Sequence, residues 1–152
     1  MRTAVVMLGL AMAAGAQETK PVVVDLSKYK GPTESAELFG YDEGNSKAFW
    51  FAAGVLEFKA KVEADGDYQV VVKASCDEAN GQKAKFKLQV DGKVVGAETS
   101  LTAADEKEYV LTAPLKAGEV KIGLEFTNDL YKEGEYDLNF YVYGLTLKPA
   151  AK

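Results

Sequence analysis

From residue 54 to residue 148, apolar and polar side chains alternate with a period of two, broken at short intervals by turn residues. Alternation of that period puts one face of a strand in a core and the other in water, whereas an amphipathic helix needs a period of 3.6. Leu56, Phe58, Ala60 and Val62 oppose Glu57, Lys59 and Lys61. Asp65-Gly66 then turns the chain into 68–76, where Tyr68, Val70, Val72, Ala74 and Cys76 share one parity. Phe86, Leu88 and Val90 follow, and Asp91-Gly92 predicts a two-residue hairpin turn, because both residues tolerate positive φ. The chain returns over 93–100, runs a strand over 108–112, turns at Lys116-Ala117-Gly118, and continues through Val120, Ile122, Leu124 and Phe126. A last strand spans 138–148. Upstream, 21–25 reads as a short strand. The stretch 28–44, with Gly31-Pro32, Gly40 and Gly44, reads as a long loop holding one short strand near 36–39. About eight antiparallel strands without an intervening helix predict an all-β fold, a β-sandwich or jelly roll.

The N-terminus has a different character. Met1, Arg2 and Thr3 precede an apolar run over 4–14 that closes in Ala14-Gly15-Ala16. This pattern predicts a signal peptide over 1–16 and a secreted or periplasmic protein whose single domain spans 17–152. The apolar run is shorter than the roughly 20 residues that cross a bilayer. A formal charge of −5 disfavours nucleic acid and anionic membrane surfaces, which require a basic patch. The lysines at 59, 61, 83, 85 and 87 read as the wet face of strands.

The chain has no histidine and one cysteine. Ser-His-Asp and Cys-His catalysis and histidine zinc sites are therefore excluded. Cys76 lies in phase with the apolar face of its strand and is expected to be a small buried hydrophobe. In the run Phe49-Trp50-Phe51 one parity must point inward, and Trp50 is the expected core residue, with Phe49 and Phe51 outside.

The segment 126–142 concentrates oxygen-bearing side chains: Asn128, Asp129, Glu133, Glu135, Asp137 and Asn139, with Gly134 available to bend the backbone. Ca²⁺ takes 6–8 oxygen ligands from such mixed donors. On chemistry alone a solvated acidic loop accounts for these residues more readily than a metal site, since the spacing is not that of an EF-hand.

The same stretch resembles the C-terminal signature of the calcium-dependent xylan-binding carbohydrate-binding modules, which runs Phe-x-Asn-Asp, a short aromatic loop, then Asp-Arg-Asn and a final strand. Phe126, Asn128, Asp129, Asp137, Asn139, Phe140 and Val142 supply it here, and Leu138 replaces the arginine. Gly66-Asp67-Tyr68, Val90-Asp91-Gly92-Lys93, Tyr109 and Lys116-Ala117-Gly118 fit the upstream order. The resemblance implies a jelly-roll-like sandwich with Ca²⁺ at one end touching sugar hydroxyls. It makes Asp129 and Asp137 the carboxylate ligands, with Asn128 and Asn139 ordering the loop or adding an oxygen. Tyr131 and Tyr136 would present a ring or a hydroxyl to sugar, or pack the loop onto the sandwich. Family members often carry a glutamate in the loop before the Val-Asp-Gly strand, where this chain offers Gln82 or Glu78.

Three functions follow as expectations. The first is a non-catalytic module binding xylan or a related plant-type polysaccharide, working beside co-secreted glycan-degrading enzymes. The second is an exported interaction domain without sugar binding. The third is a small glycoside hydrolase or lyase, which needs two carboxyls placed across a cleft.

Overall fold

The alternating segments become strands whose apolar parity meets across one core. The structure, a computed structural model, describes residues 20–150, so the signal peptide expected over 1–16 lies outside the described residues. The strands are β1 (Val22–Val23), β2 (Tyr29–Lys30), β3 (Phe39–Asp42), β4 (Lys47–Trp50), β5 (Gly54–Val62), β6 (Gly66–Asp77), β7 (Lys85–Val90), β8 (Lys93–Ser100), β9 (Lys107–Leu115), β10 (Gly118–Phe126), β11 (Leu130–Lys132) and β12 (Tyr136–Pro149). A 3-10 turn at Ala36–Leu38 precedes β3. One sheet runs β3-β4-β12-β6-β9, with β1 and β11 also pairing to β12; the other runs β2-β5-β10-β7-β8. This is the antiparallel sandwich the alternation predicts, with short additional strands. Among the described residues no helix is long and apolar enough to cross a membrane.

The inward parities are those of the sequence. Val70, Val72 and Ala74 of β6 and Phe140 and Val142 of β12 face Phe86, Leu88, Ile122, Leu124 and Phe126, all fully buried. Trp50 is core: from β4 its indole N–H donates to the carbonyl of Leu124 in the opposite sheet at 3.2 Å. The Phe140 ring lies 4.8 Å from Trp50, 5.3 Å from Phe86 and 5.8 Å from Phe126, joining both sheets in one aromatic cluster. Cys76 is buried and burial pushes its thiol up, as befits an inert packing residue. At the β7–β8 turn, Asp91 and Gly92 take φ of 50° and 85°, the mirror-image turn their sequence calls for.

The stretch 28–44, expected as a long loop with one short strand near 36–39, is more ordered than its glycines suggest, and 36–38 form the 3-10 turn rather than a strand. It contains β2 and β3, and β3 pairs with β4 in a hairpin. Gly40 sits inside β3 because the Phe49 ring lies on it: a Cβ there would meet that ring at 2.8 Å. The polar segment 128–137 also holds β11, folded back on β12 through Gly134 at φ 75°. Within β12 the register to β6 shifts between Val142 and Gly144. This bulge lets Leu138, Phe140 and Val142 face the core before it, and Leu145 and Leu147 after it.

Candidate functional site

Residues of β12 with the parity opposite to Leu138 and Phe140 leave the core and build a cleft. β11 pairs there through Tyr131↔Asp137 and Leu130↔Leu138, and β6 joins on the other side through Asn139↔Asp77. The cleft has a volume of about 570 Å³. Asp129, Asp137 and Asn139 supply its polar lining; Phe51, Tyr131 and Tyr141, with Leu38 and Ala52, supply the rest.

The polar lining is electrostatically unbalanced. The Asp129 carboxyl is held above its ordinary value, first by burial and then by the neighbouring Asp137 charge, against the pull of the Leu130 backbone N–H. Asn139 is 7% exposed, and its Nδ2 donates to Asp77 Oδ2 at 3.1 Å. Its Oδ1 is buried without a hydrogen-bond partner. Such an orphaned acceptor costs about 1–3 kcal/mol unless something meets it. The Tyr141 hydroxyl donates to the same Asp77 oxygen at 2.6 Å, and burial followed by the Asp77 carboxylate keeps it protonated well above the usual tyrosine range.

Two carboxylates and an unpartnered amide oxygen fit a hard divalent cation, which prefers oxygen donors of mixed type. Among the described residues no group of three or more His, Cys, Asp or Glu side chains comes together. A cation held there would take the Asn139 amide as its third side-chain oxygen.

The sequence-predicted residues divide into two sets. Asp129, Asp137, Asn139 and Tyr131 share the cleft, with Tyr131 63% exposed. Asn128 lies outside the lining. Its Oδ1 accepts the Lys85 N–H at 2.8 Å and its Nδ2 donates to the Lys83 carbonyl at 2.9 Å, tying the loop to the start of β7. Tyr136 is half-buried, packs against the core and does not line the cleft. Glu78 pairs with Lys83 at 2.7 Å, and Gln82 closes a backbone bridge with Ala79, so neither reaches the cleft lining. The sequence does not point to the lining residues Tyr141 and Leu38, whereas Phe51 belongs to the Phe49-Trp50-Phe51 run and Asp77, behind Asn139, is one of the carboxylates open to a hydrolase reading. The outward parity two residues beyond Asn139 was the available signal for Tyr141.

A family model described as a Ca-dependent, xylan-binding carbohydrate-binding module matches residues 69–152, more than half of the chain, including β11, β12 and both cleft aspartates. The chain belongs to this family. No curated protein matches it in sequence. Among solved structures it is similar to the CBM36-1 domain of a multidomain xylanase from the hindgut metagenome of Trinervitermes trinervoides, with 13% identity and a TM-score of 0.66 over 88% of this chain and 100% of that one. It is also similar to a family 35 carbohydrate-binding module from Clostridium thermocellum, with 16% identity and a TM-score of 0.56 over 86% and 99% of the two chains. A CBM36 module in complex with calcium and xylotriose gives 18% identity and a TM-score of 0.55 over 84% and 97%. At these identities the likenesses speak for the shared sandwich fold.

For a calcium-dependent carbohydrate-binding module the orientation of the Asn139 amide matters, because only one of its two ends offers an oxygen. Asp77 fixes that orientation by accepting from Nδ2. Asp77→Ala is expected to weaken calcium binding roughly tenfold, the effect typical of losing a residue that orients a metal ligand. Calcium titration by calorimetry checks this, with the metal-free melting temperature as the control for folding; an unchanged affinity would count against the orienting role.

Proposed function

We propose that this chain is an exported, non-catalytic module that grips a xylan-type polysaccharide in the β11–β12 cleft with the help of Ca²⁺. The observation that carries this reading is the unpartnered Oδ1 of Asn139 beside the Asp129 and Asp137 carboxylates, in a cleft whose other lining is largely aromatic and apolar. Asp129, Asp137 and Asn139 Oδ1 would hold the cation, and a bound calcium supplies coordination positions that sugar hydroxyls can occupy. The chain's own contribution to the sugar comes from Tyr131, Phe51 and Tyr141, whose rings can take the apolar faces of pyranose units. Tyr141 keeps its proton engaged with Asp77, which steadies the ring.

Membership of a binding-module family supports the absence of catalysis. So does the placement of Asp129 and Asp137, which flank one short hairpin with the Asp137 charge acting on Asp129, an arrangement suited to a shared cation. The basic start, apolar run and Ala14-Gly15-Ala16 support export to the periplasm or beyond, where co-secreted glycan-degrading enzymes would be working partners.

Native gels containing soluble xylan, galactan or β-glucan, run with calcium and with EDTA, test this reading. Retardation by xylan that EDTA abolishes is expected. Retardation that survives EDTA would move the site onto the aromatic residues alone, and no retardation in any gel would favour an interaction domain.

A further inference from the structure

Beside the cleft, the outer face of the seven-stranded sheet carries a continuous run of aromatic side chains ending in a lysine. On β12 the outward residues after Asn139 are Tyr141 and then Tyr143, and on β4 Phe49 stands directly opposite Tyr141. Phe51 stacks on Phe49 at 4.5 Å and meets Tyr141 edge-on at 6.3 Å, so the cleft wall passes into this shelf without a break. The Lys47 ammonium lies 4.0 Å from the Tyr141 ring centroid and 5.9 Å from that of Tyr143. Tyr143 is held in turn by a hydrogen bond between its hydroxyl and Ser75 Oγ at 2.9 Å.

Lys47 is a half-buried cation in an acidic protein, and among the described residues it forms no ion pair within 4.0 Å. The acid facing it in register is Asp42, whose carboxylate accepts both the Asn45 N–H at 3.2 Å and the Asn45 amide at 2.8 Å. Asp77 faces the Tyr141 hydroxyl, at the rim of the ring whose face Lys47 covers. The ammonium thus sits on an aromatic surface with donors to spare, over a residue roughly 7 Å along the strand from Asn139. That separation lies within the length of a short oligosaccharide.

We propose that Lys47 reads a carboxylate on the polysaccharide, so that the preferred ligand is a uronate-bearing xylan extending from the cleft onto the Phe49–Tyr141–Tyr143 shelf. The inference rests on the carbohydrate-binding reading above and names the chemical class within it. The protein lining of the cleft carries two aspartates, whose charge a bound calcium would take up, so a positive side chain beside the cleft is a separate group that can favour an acidic substituent further along the glycan. Lys47 is the cation placed against a cleft-lining ring. A partly exposed charge pair gives a modest preference that salt screens.

The test compares, in calcium, binding of a glucuronic-acid-substituted xylan with the same polymer after its carboxyl groups have been reduced to alcohols. The parent is expected to favour the acidic polymer roughly fivefold at low salt, and less as ionic strength rises. Lys47→Met should erase the preference while leaving affinity for the reduced polymer unchanged, and Lys47→Arg should retain it. Lys47→Gln serves in place of Lys47→Met if the latter does not fold. Equal binding of both polymers by the parent, or a preference that survives in Lys47→Met, would overturn the role of Lys47 while leaving the cleft as a xylan site. Binding of neither polymer would overturn both this inference and the carbohydrate-binding reading.

Discussion

Asp129→Asn should abolish the rise in melting temperature that calcium gives the parent, while leaving the metal-free protein at least as stable as the parent at neutral pH. The two halves of this result have opposite signs for one physical reason. In the folded, metal-free protein, burial and the Asp137 charge raise the Asp129 carboxyl above its ordinary value of 3.8. The folded state therefore binds that proton more tightly than the unfolded chain does. Stability falls with rising pH wherever the folded state holds more protons, so the ionised Asp129 costs stability once pH has risen through its raised value. Asparagine removes that cost together with the charge a divalent cation requires. Calcium acts in the other direction, because it binds the carboxylate and stabilises only the folded state. Acidification should accordingly weaken calcium stabilisation of the parent at a pH above 3.8, the ordinary aspartate value. Melting curves of parent and variant, with calcium and with EDTA across a pH series, check both trends. A variant that still gains stability from calcium would remove Asp129 from the site.

Phe140→Ala should destabilise the protein by about 3–5 kcal/mol, the cost of truncating a fully buried phenylalanine in a core that cannot collapse. Its melting temperature should fall by roughly 10–20 °C. Phe140 is fully buried, and its ring meets Trp50 from its own sheet and Phe86 and Phe126 from the other. No neighbouring side chain can close on the space without disturbing this cluster. The same strand presents Asn139 and Tyr141 to the cleft on either side of Phe140, so the variant should also bind calcium more weakly than its stability alone accounts for. Chemical denaturation measures the first effect, and calcium titration well below the melting point measures the second. A loss under 1.5 kcal/mol, the range of a tolerated core exchange, would mean that the cluster repacks freely.

Much of the cleft lining could be read in the sequence because one short segment carries it. The density of oxygens over 128–139, and its resemblance to the calcium-dependent modules, pointed to Asp129, Asp137 and Asn139 together. Tyr131 was recognisable for the same reason. Asp77, Phe51 and Tyr141 were harder to assign because they reach the cleft region from separate parts of the chain, and their meeting depends on strand register and outward parity. Tyr131 and Tyr136 looked equivalent in the sequence, yet the β11–β12 pairing puts the first in the cleft and leaves the second packed against the core. Glu78 and Gln82 were reasonable by position in a neighbouring loop, but a loop's sequence does not say which way its side chains turn. Glu78 turns to Lys83, and the Gln82 backbone is held in a bridge with Ala79.

The sequence by itself determined the longer strands, most of their inward faces, the Asp91-Gly92 turn and the buried places of Trp50 and Cys76. Period-two alternation and positive-φ turn residues are local properties, and burial of one apolar face follows from them directly. Only the tertiary structure decided that 28–44 contributes β2 and β3, because Gly40 serves there as the seat of the Phe49 ring, which comes from the neighbouring strand. Only the tertiary structure placed Lys47 over Tyr141 and left Asn139 Oδ1 without a partner. Those features depend on which strands lie side by side and in what register, and that is settled by packing across the sandwich.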